Sequence, residues 1–263
     1  MTESGSVPST AVDPARPNIA RVHDYLLGGK DNFAADRQFG EELLRQQPYL
    51  VRNARANRAF MQRVVRFAAS SGVTQFLDLG TGLPTGENVH QVAQSAIPGA
   101  RVVYVDDDPM VATHARALLA SAPGVEFIMA DLRDPAGIVT QASATLDLTV
   151  PLALLCLRVL HFIPDDGEVK AIVAALAGSL AQGSYLAVTH WKYLPSDEES
   201  ARLYSGAVHP VARRGEQEIV ALLPAGWEIV EPGLVPVFQW RPDEDELAID
   251  EEIRLYGLVA RKQ

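Results

Sequence analysis

Cysteine is nearly missing from this chain of 263 residues, with Cys156 standing alone. One thiol closes no internal disulfide and completes no multi-cysteine zinc site. Its flanking leucines mark it as a small buried hydrophobe. Long apolar runs are missing too. Runs such as that near Leu152–Leu157 fall far short of the ~20 residues a membrane-spanning helix needs. Met1–Thr10 lacks the basic-then-apolar pattern of a secretion signal, so a cytoplasmic protein without a membrane partner is expected. Basic charge is scarce, with 23 Lys and Arg against 33 Asp and Glu and a net charge of −10. Binding along a phosphate backbone needs a basic surface, so a nucleic-acid partner is not expected. No platform of interleaved aromatic and basic residues suits a single strand either.

What is present reads as one large domain with an extension: 48% hydrophobic and 21% charged residues are ordinary globular proportions. Met1–Pro17, rich in Ser, Thr, Pro and Ala, is expected to be a disordered tail (residues 1–17). Asn18–Ser71 looks helical, with Phe60, Val64, Phe67 and Ala68 at helical spacing, and residues 18–72 are expected to form a cap or lid. Arg52, Arg55, Arg63 and Arg66 fall on another face, either a solvated side or a stripe facing an anion. From Val73 the texture changes to strands alternating with helices. Strands are expected at Gln75–Leu79, Arg101–Val105, Val125–Met129, Leu152–Leu157, Ser184–Thr189, Trp227–Val230 and Arg254–Ala260. Helices fall between them, at Gly86–Ala96, Pro109–Ala120, Pro135–Gln141, Glu168–Leu180 and Glu216–Leu223. Such alternation implies an α/β, doubly wound, mostly parallel sheet covered on both faces over residues 73–263. Asp243–Glu252 packs seven acids into ten residues and reads as a solvated loop or helix face.

The first strand runs into Asp78-Leu79-Gly80-Thr81-Gly82-Leu83-Pro84-Thr85-Gly86. Ligands of doubly wound folds bind at such a turn, where glycine lets the backbone approach closely. The spacing Gly80-x-Gly82-x-x-x-Gly86 departs from the G-x-G-x-x-G of a dinucleotide site, because Thr85 stands where its third glycine belongs. Asp78 is also awkward beside a pyrophosphate and suits a ligand with positive charge. The second strand ends in Asp106-Asp107-Asp108-Pro109, where Asp106 is the natural acceptor for ribose hydroxyls. Asp107 or Asp108 can instead cap the helix that Pro109 starts. Those duties come before a cation for the triplet, and no metal is expected. The third strand ends in Asp131-Leu132, an acid and a backbone N–H that suit an adenine ring.

With these residues together the sequence resembles the class I, Rossmann-like S-adenosylmethionine-dependent methyltransferases. Val159-Leu160-His161-Phe162-Ile163-Pro164-Asp165 belongs to the same resemblance. A closer one is carried by Pro17–Phe33, which includes Tyr25-Leu26-Leu27-Gly28-Gly29-Lys30-Asp31-Asn32-Phe33, and by Gly82–His90. From about Pro17 to Arg261 the chain is similar to a bacterial family of S-adenosylmethionine-dependent methyltransferases whose substrates are generally unassigned. The resemblance implies a seven-stranded sheet with its last strand antiparallel, and cofactor contacts at Asp78, Gly80, Gly82, Asp106 and Asp131. Thr81, Thr85, Asp107 and Leu132 complete the expected cofactor-binding set, with S-adenosylhomocysteine as product. Three positions depart from the family pattern. His23 stands where tyrosine is common, Asp107 where asparagine is common, and Cys156-Leu157-Arg158 where smaller aliphatics are usual.

Methyl transfer from an activated donor mainly needs alignment, and a base only where the acceptor loses a proton. His161 beyond strand four and His190 beyond strand five are the candidate bases. Either can equally orient a loop. Tyr25, Lys30 and Asn32 are candidate lid or acceptor contacts, with a plain structural turn as the alternative. Arg158 marks a variant substrate pocket or points outward from the sheet end. No Asp-Pro-Pro-Tyr-like tetrad follows strand four, which disfavours nucleobase amino groups; a small-molecule acceptor leads, and net charge alone leaves protein, RNA and DNA open. The competing readings are a non-catalytic S-adenosylmethionine sensor or interaction protein and an NAD-dependent oxidoreductase, the latter disfavoured by the glycine spacing.

Overall fold

The computed structural model describes residues 12–84, 86–119, 122–194, 197–243 and 254–263. Three helices come first: α1 (Ile19–Leu26), α2 (Ala34–Gln46) and α3 (Leu50–Ser70). Strand–helix alternation follows with β1 (Gln75–Leu79), α4 (Val89–Ala96), β2 (Arg101–Asp106), α5 (Pro109–Leu119), β3 (Val125–Met129) and α6 (Pro135–Ala142). The second half holds β4 (Ala153–Leu157), α7 (Asp166–Gly178), β5 (Tyr185–Trp191), α8 (Glu198–Ala207) and α9 (Glu216–Val220). It closes with β6 (Trp227–Ile229), β7 (Val235–Pro236) and β8 (Leu255–Lys262).

Seven strands follow one path in the order β3-β2-β1-β4-β5-β8-β6, and the two-residue β7 adds an eighth by pairing with β8. The pairs among β1 to β5 are parallel, and β8 runs antiparallel between β5 and β6. Burial explains the sequence patterns. β4 lies mid-sheet with both faces covered and reads as an unbroken apolar run, Cys156 included. β3 closes one edge and is only partly covered, with Val125 and Ile128 buried and Glu126 and Met129 exposed.

Helix α3 belongs to the sheet. Phe60, Met61, Val64, Val65 and Ala68 share one core with Phe76, Val102, Leu155 and Val259. The expected division at residue 72 therefore falls inside one packed unit. A separate cluster joins α1 and α2 to α8 through Val22, Leu26, Phe39, Leu43 and Tyr204. Sequence reading missed α8, because its buried side is only Ser200, Ala201 and Tyr204. Of the expected tail, Asp13 and Arg16 are held by their carbonyls, which accept from Arg21 Nη2 at 3.1 and 2.6 Å. Residues 1–11 and all of the acidic run except Asp243 lie outside the described residues.

The arginine stripe does not sit on one solvated face. Arg66 is exposed and pairs with Asp243 at 2.8 Å. Arg63 is only 4% exposed. Its Nε donates to the Trp240 carbonyl at 2.9 Å and its Nη2 to the Val237 carbonyl at 2.6 Å. Replacing Arg63 by methionine keeps the stem but strands two buried carbonyls. Denaturant melts should register a loss of about 2–4 kcal/mol. The same change at Arg66 should move stability by less than about 0.5 kcal/mol, as for an exposed ion pair.

Candidate functional site

The turn after β1 is built by two glycines in left-handed backbone. Gly80 (φ +63) donates its N–H to the Val105 carbonyl at 2.8 Å. A Cβ there would collide with the side chain of Val159, just past β4. Gly82 (φ +66) donates its N–H to Asp106 Oδ2 at 2.8 Å, while Asp106 Oδ1 accepts from the N–H of Asp108 at 3.0 Å. Each Asp106 oxygen thus already accepts from one backbone donor, a partnership that the sequence does not reveal. Asp108 Oδ1 accepts from Met110 N at 2.6 Å and caps α5. Of the triplet, Asp107 is left facing the open end of the cleft, in company with Asp131.

One cavity runs along the carboxyl ends of the strands. It offers about 230 Å³ of water-accessible space. One water needs ~10–15 Å³, so the void is ligand-sized. Asp78, Gly80, Thr81, Gly82, Asp106, Asp107, Asp131, Leu132 and Arg158 all line it. Asp78 lies deep, Asp106 is half-buried, and Asp107 and Asp131 stand at the exposed rim. Burial pushes the Asp78 carboxyl up to about 7 against the pull of a Thr81 hydrogen bond and the Arg58 charge. Burial likewise pushes Asp106 up to about 7 despite the N–H groups of Gly82 and Asp108. Asp107 is raised by loss of water first and by Asp131 next. A cavity walled by acids that resist ionisation favours a cationic ligand with hydrogen-bond donors.

Sequence reading missed Arg58, His23 and Asn57, which also line the cavity. Arg58 Nη2 donates to the Glu87 carbonyl at 3.0 Å. The signal for it was available, since Arg58 sits on the helix whose other arginines drew notice; only packing shows which one turns inward. His23 Nε2 is cut off from water and has no hydrogen-bond partner among the described residues. Burial, then the charges of Arg158 and Arg58, hold this imidazole well below its ordinary pKa.

The two candidate bases do not reach the cavity. His190 is fully buried. Its Nδ1 lies 2.8 Å from the Trp191 carbonyl and its Nε2 lies 3.1 Å from Arg214 Nη1. A carbonyl only accepts and a guanidinium only donates, so Nδ1 carries the proton and neither nitrogen is free. Burial pushes His190 down to about 4. His161 is also buried and held neutral, facing a separate small pocket beside Trp191 and Tyr204.

The Tyr25–Phe33 segment folds around Asp24 as a structural turn. Asp24 Oδ2 accepts from the N–H of Asp31 at 2.9 Å and from Asn32 Nδ2 at 2.8 Å. Tyr25 packs on α2 where Gly40 leaves room for its ring. Lys30 is exposed. Tyr25, Lys30 and Asn32 are all absent from the cavity lining. Thr85 lies outside the described residues.

A family model described as S-adenosyl methyltransferase matches residues 6–263. A DUF574 family protein from Streptomyces avermitilis is 41% identical, covers 95% of this chain and 99% of its own, and superposes with a TM-score of 0.90. A candidate methyltransferase from Thermobifida fusca is also 41% identical, with 97% and 98% of the two chains covered and a TM-score of 0.90. Magnesium protoporphyrin IX methyltransferase from Synechocystis, solved with bound S-adenosylhomocysteine, is 17% identical and shares the fold at a TM-score of 0.54 over 92% of this chain and 93% of its own. No curated protein matches. Among the described residues no helix is long and apolar enough to cross a membrane.

The acid pair sets a pH dependence. In the fold Asp78 and Asp106 bind protons more tightly than the ordinary carboxyl value of 3.8. A raised pKa gives stability that is complete below the ordinary value and lost as pH rises through about 7. The ligand-free protein should therefore melt at falling temperatures from about pH 5 to about pH 8. Asp78→Asn should flatten that fall in calorimetry; an unchanged slope would remove Asp78 as a source.

Proposed function

The chain belongs to the S-adenosyl methyltransferase family, and from that premise we propose that the acid-lined end of the cavity holds S-adenosylmethionine and that the end toward Arg158 admits a small-molecule acceptor. The protein is an S-adenosylmethionine-dependent methyltransferase of the Rossmann-like class. Its acceptor is a small molecule or a macromolecule, and the cavity geometry favours the first.

The observation that carries the donor placement is the convergence of Asp78, Asp106, Asp107 and Asp131 on one cavity beside the Gly80–Gly82 turn. Asp78 is the partner for the amino-acid ammonium of the donor, and Arg58 for its carboxylate. Asp107 takes the ribose hydroxyls, because Asp106 already holds Gly82 and Asp108. Asp131 and the N–H of Leu132 suit adenine. When bound, the donor supplies a methyl group activated on sulfonium. The residues of this chain then bind, orient and keep water out. The cavity continues past Gly80 to Arg158, Phe162 and Tyr204, space that a sensor without an acceptor does not need.

The Arg58 assignment separates the two halves of the donor. Arg58→Ala should weaken S-adenosylhomocysteine binding about tenfold, the worth of one charge-assisted hydrogen bond. Binding of 5′-methylthioadenosine, which has no carboxylate, should be unchanged. Calorimetric titration of both ligands decides it. Equal losses would move Arg58 out of carboxylate binding, and no S-adenosylhomocysteine binding by the folded parent would overturn the cleft assignment.

A further inference from the structure

We propose that Arg158 is the anion-binding residue of the acceptor subsite, and that the acceptor is a small carboxylic acid with an apolar body. The inference rests on the donor placement above and adds the substrate class.

Arg158 lines the cavity beyond the Gly80 turn. Its Nη1 is cut off from water and has no hydrogen-bond partner among the described residues. A guanidinium keeps its charge and presents donors in a fixed fork, and burying it without a partner is costly. Among the described residues no carboxylate pairs with this one. The ionisable groups that act on it electrostatically are Tyr204, His23 and His161. Asp78, Asp106, Asp107 and Asp131 are assigned to the donor end.

The backbone at Arg158 is also forced. Its φ is +58, a left-handed conformation that an L side chain adopts at a cost. Two strands and a helix hold it there. The Arg158 N–H donates to Thr189 Oγ1 at 2.9 Å, and the Thr189 hydroxyl donates to Asn57 Oδ1 on α3 at 2.7 Å. Such strain persists where surrounding structure over-determines it, and it clusters at ligand clamps. Here its effect is to place a guanidinium in the cavity wall.

The surroundings narrow the ligand. Leu26, Met61 and Phe162 give this end apolar walls, and His23 offers its unpartnered Nε2 for one further hydrogen bond. A planar carboxylate matches a single guanidinium fork. A phosphate dianion asks for a second cation. The neighbouring histidines are held neutral by burial, and Arg58 is assigned to the donor carboxylate. Positive charge on the donor and negative charge on the acceptor thus find opposite ends of one cavity.

The test titrates the full chain, saturated with S-adenosylhomocysteine, with benzoate, benzamide and phenyl phosphate. Benzoate should bind at least tenfold tighter than benzamide or phenyl phosphate. Arg158→Gly should lose at least tenfold in benzoate affinity, retain its S-adenosylhomocysteine affinity and melt no lower than the parent, since glycine relaxes the left-handed backbone. A merely structural arginine would instead lower the melting temperature. Equal binding of benzoate and benzamide, no benzoate binding, or benzoate binding unaffected by Arg158→Gly would overturn the proposal. Tighter phenyl phosphate binding would overturn the carboxylate. A matching loss of S-adenosylhomocysteine affinity would place Arg158 on the donor and overturn the acceptor role. Failure of the parent to bind S-adenosylhomocysteine is seen before any acid is added, and it brings down the donor placement instead.

Discussion

Asp106 joins two pieces of backbone that strand pairing alone leaves independent. One oxygen holds the N–H of Gly82 in the β1 turn and the other holds the N–H of Asp108 at the start of α5. Those bonds fix the turn relative to the end of β2, and with it every donor-facing group on the two loops. The carboxylate does this while half-buried among other acids, which is why its proton affinity rises to about 7. The clamp is therefore strong where backbone donors meet the charge and weak where the neighbouring acids repel it. A cation in the cleft relieves that repulsion, so donor binding and order in the β1 turn reinforce each other.

The fold was legible in the sequence because its signals are local and repeated. β4 is an unbroken apolar run, and glycine and aspartate follow β1 and β2 where a doubly wound sheet binds ligands. The convergence of Asp78, Gly80, Gly82, Asp106 and Asp131 on one cavity was legible for the same reason. What escaped depends on packing between distant segments. Arg63 looked solvated by helical spacing, yet the carbonyls of Val237 and Trp240 draw it inside. His161 and His190 looked placed for catalysis by their distance from strand ends. Their environment, to which Arg214 contributes from a loop beyond β5, was not visible. His190 in particular is consumed by one donor and one acceptor, a fact that no spacing rule contains.

Charge in the cavity is unevenly paired. Ion pairs elsewhere in the protein join neighbours directly, as Arg21 and Asp36 do at 2.8 Å between α1 and α2. At the acid end of the cavity Arg58 acts on Asp78 and Arg133 lies 3.6 Å from Asp131. The guanidinium of Arg158 has no hydrogen-bond partner at Nη1 among the described residues. A buried charge kept apart from its opposite is costly to the fold. Under the proposed acceptor role, a bound carboxylate offsets that cost.

The two ends are coupled through the approach of Gly80 to Val159. The strand order reverses between β1 and β4, and this is where a doubly wound sheet opens its crevice. Gly80 ends the β1 side and Val159 follows Arg158 on the β4 side. With no side chain at residue 80, Val159 seats against the turn; any Cβ would push the two apart. Under the proposed placement, this close approach lies between the donor and acceptor ends. Helix α3 braces both sides of it, through Arg58 beside Asp78 and Asn57 bonded to Thr189. Because α3 is packed into the sheet core, a lid motion of residues 18–72 as a unit would dismantle the site it is meant to close. Helices α1, α2 and α8 share a second cluster, which also takes in Leu50 and Ala54 of α3.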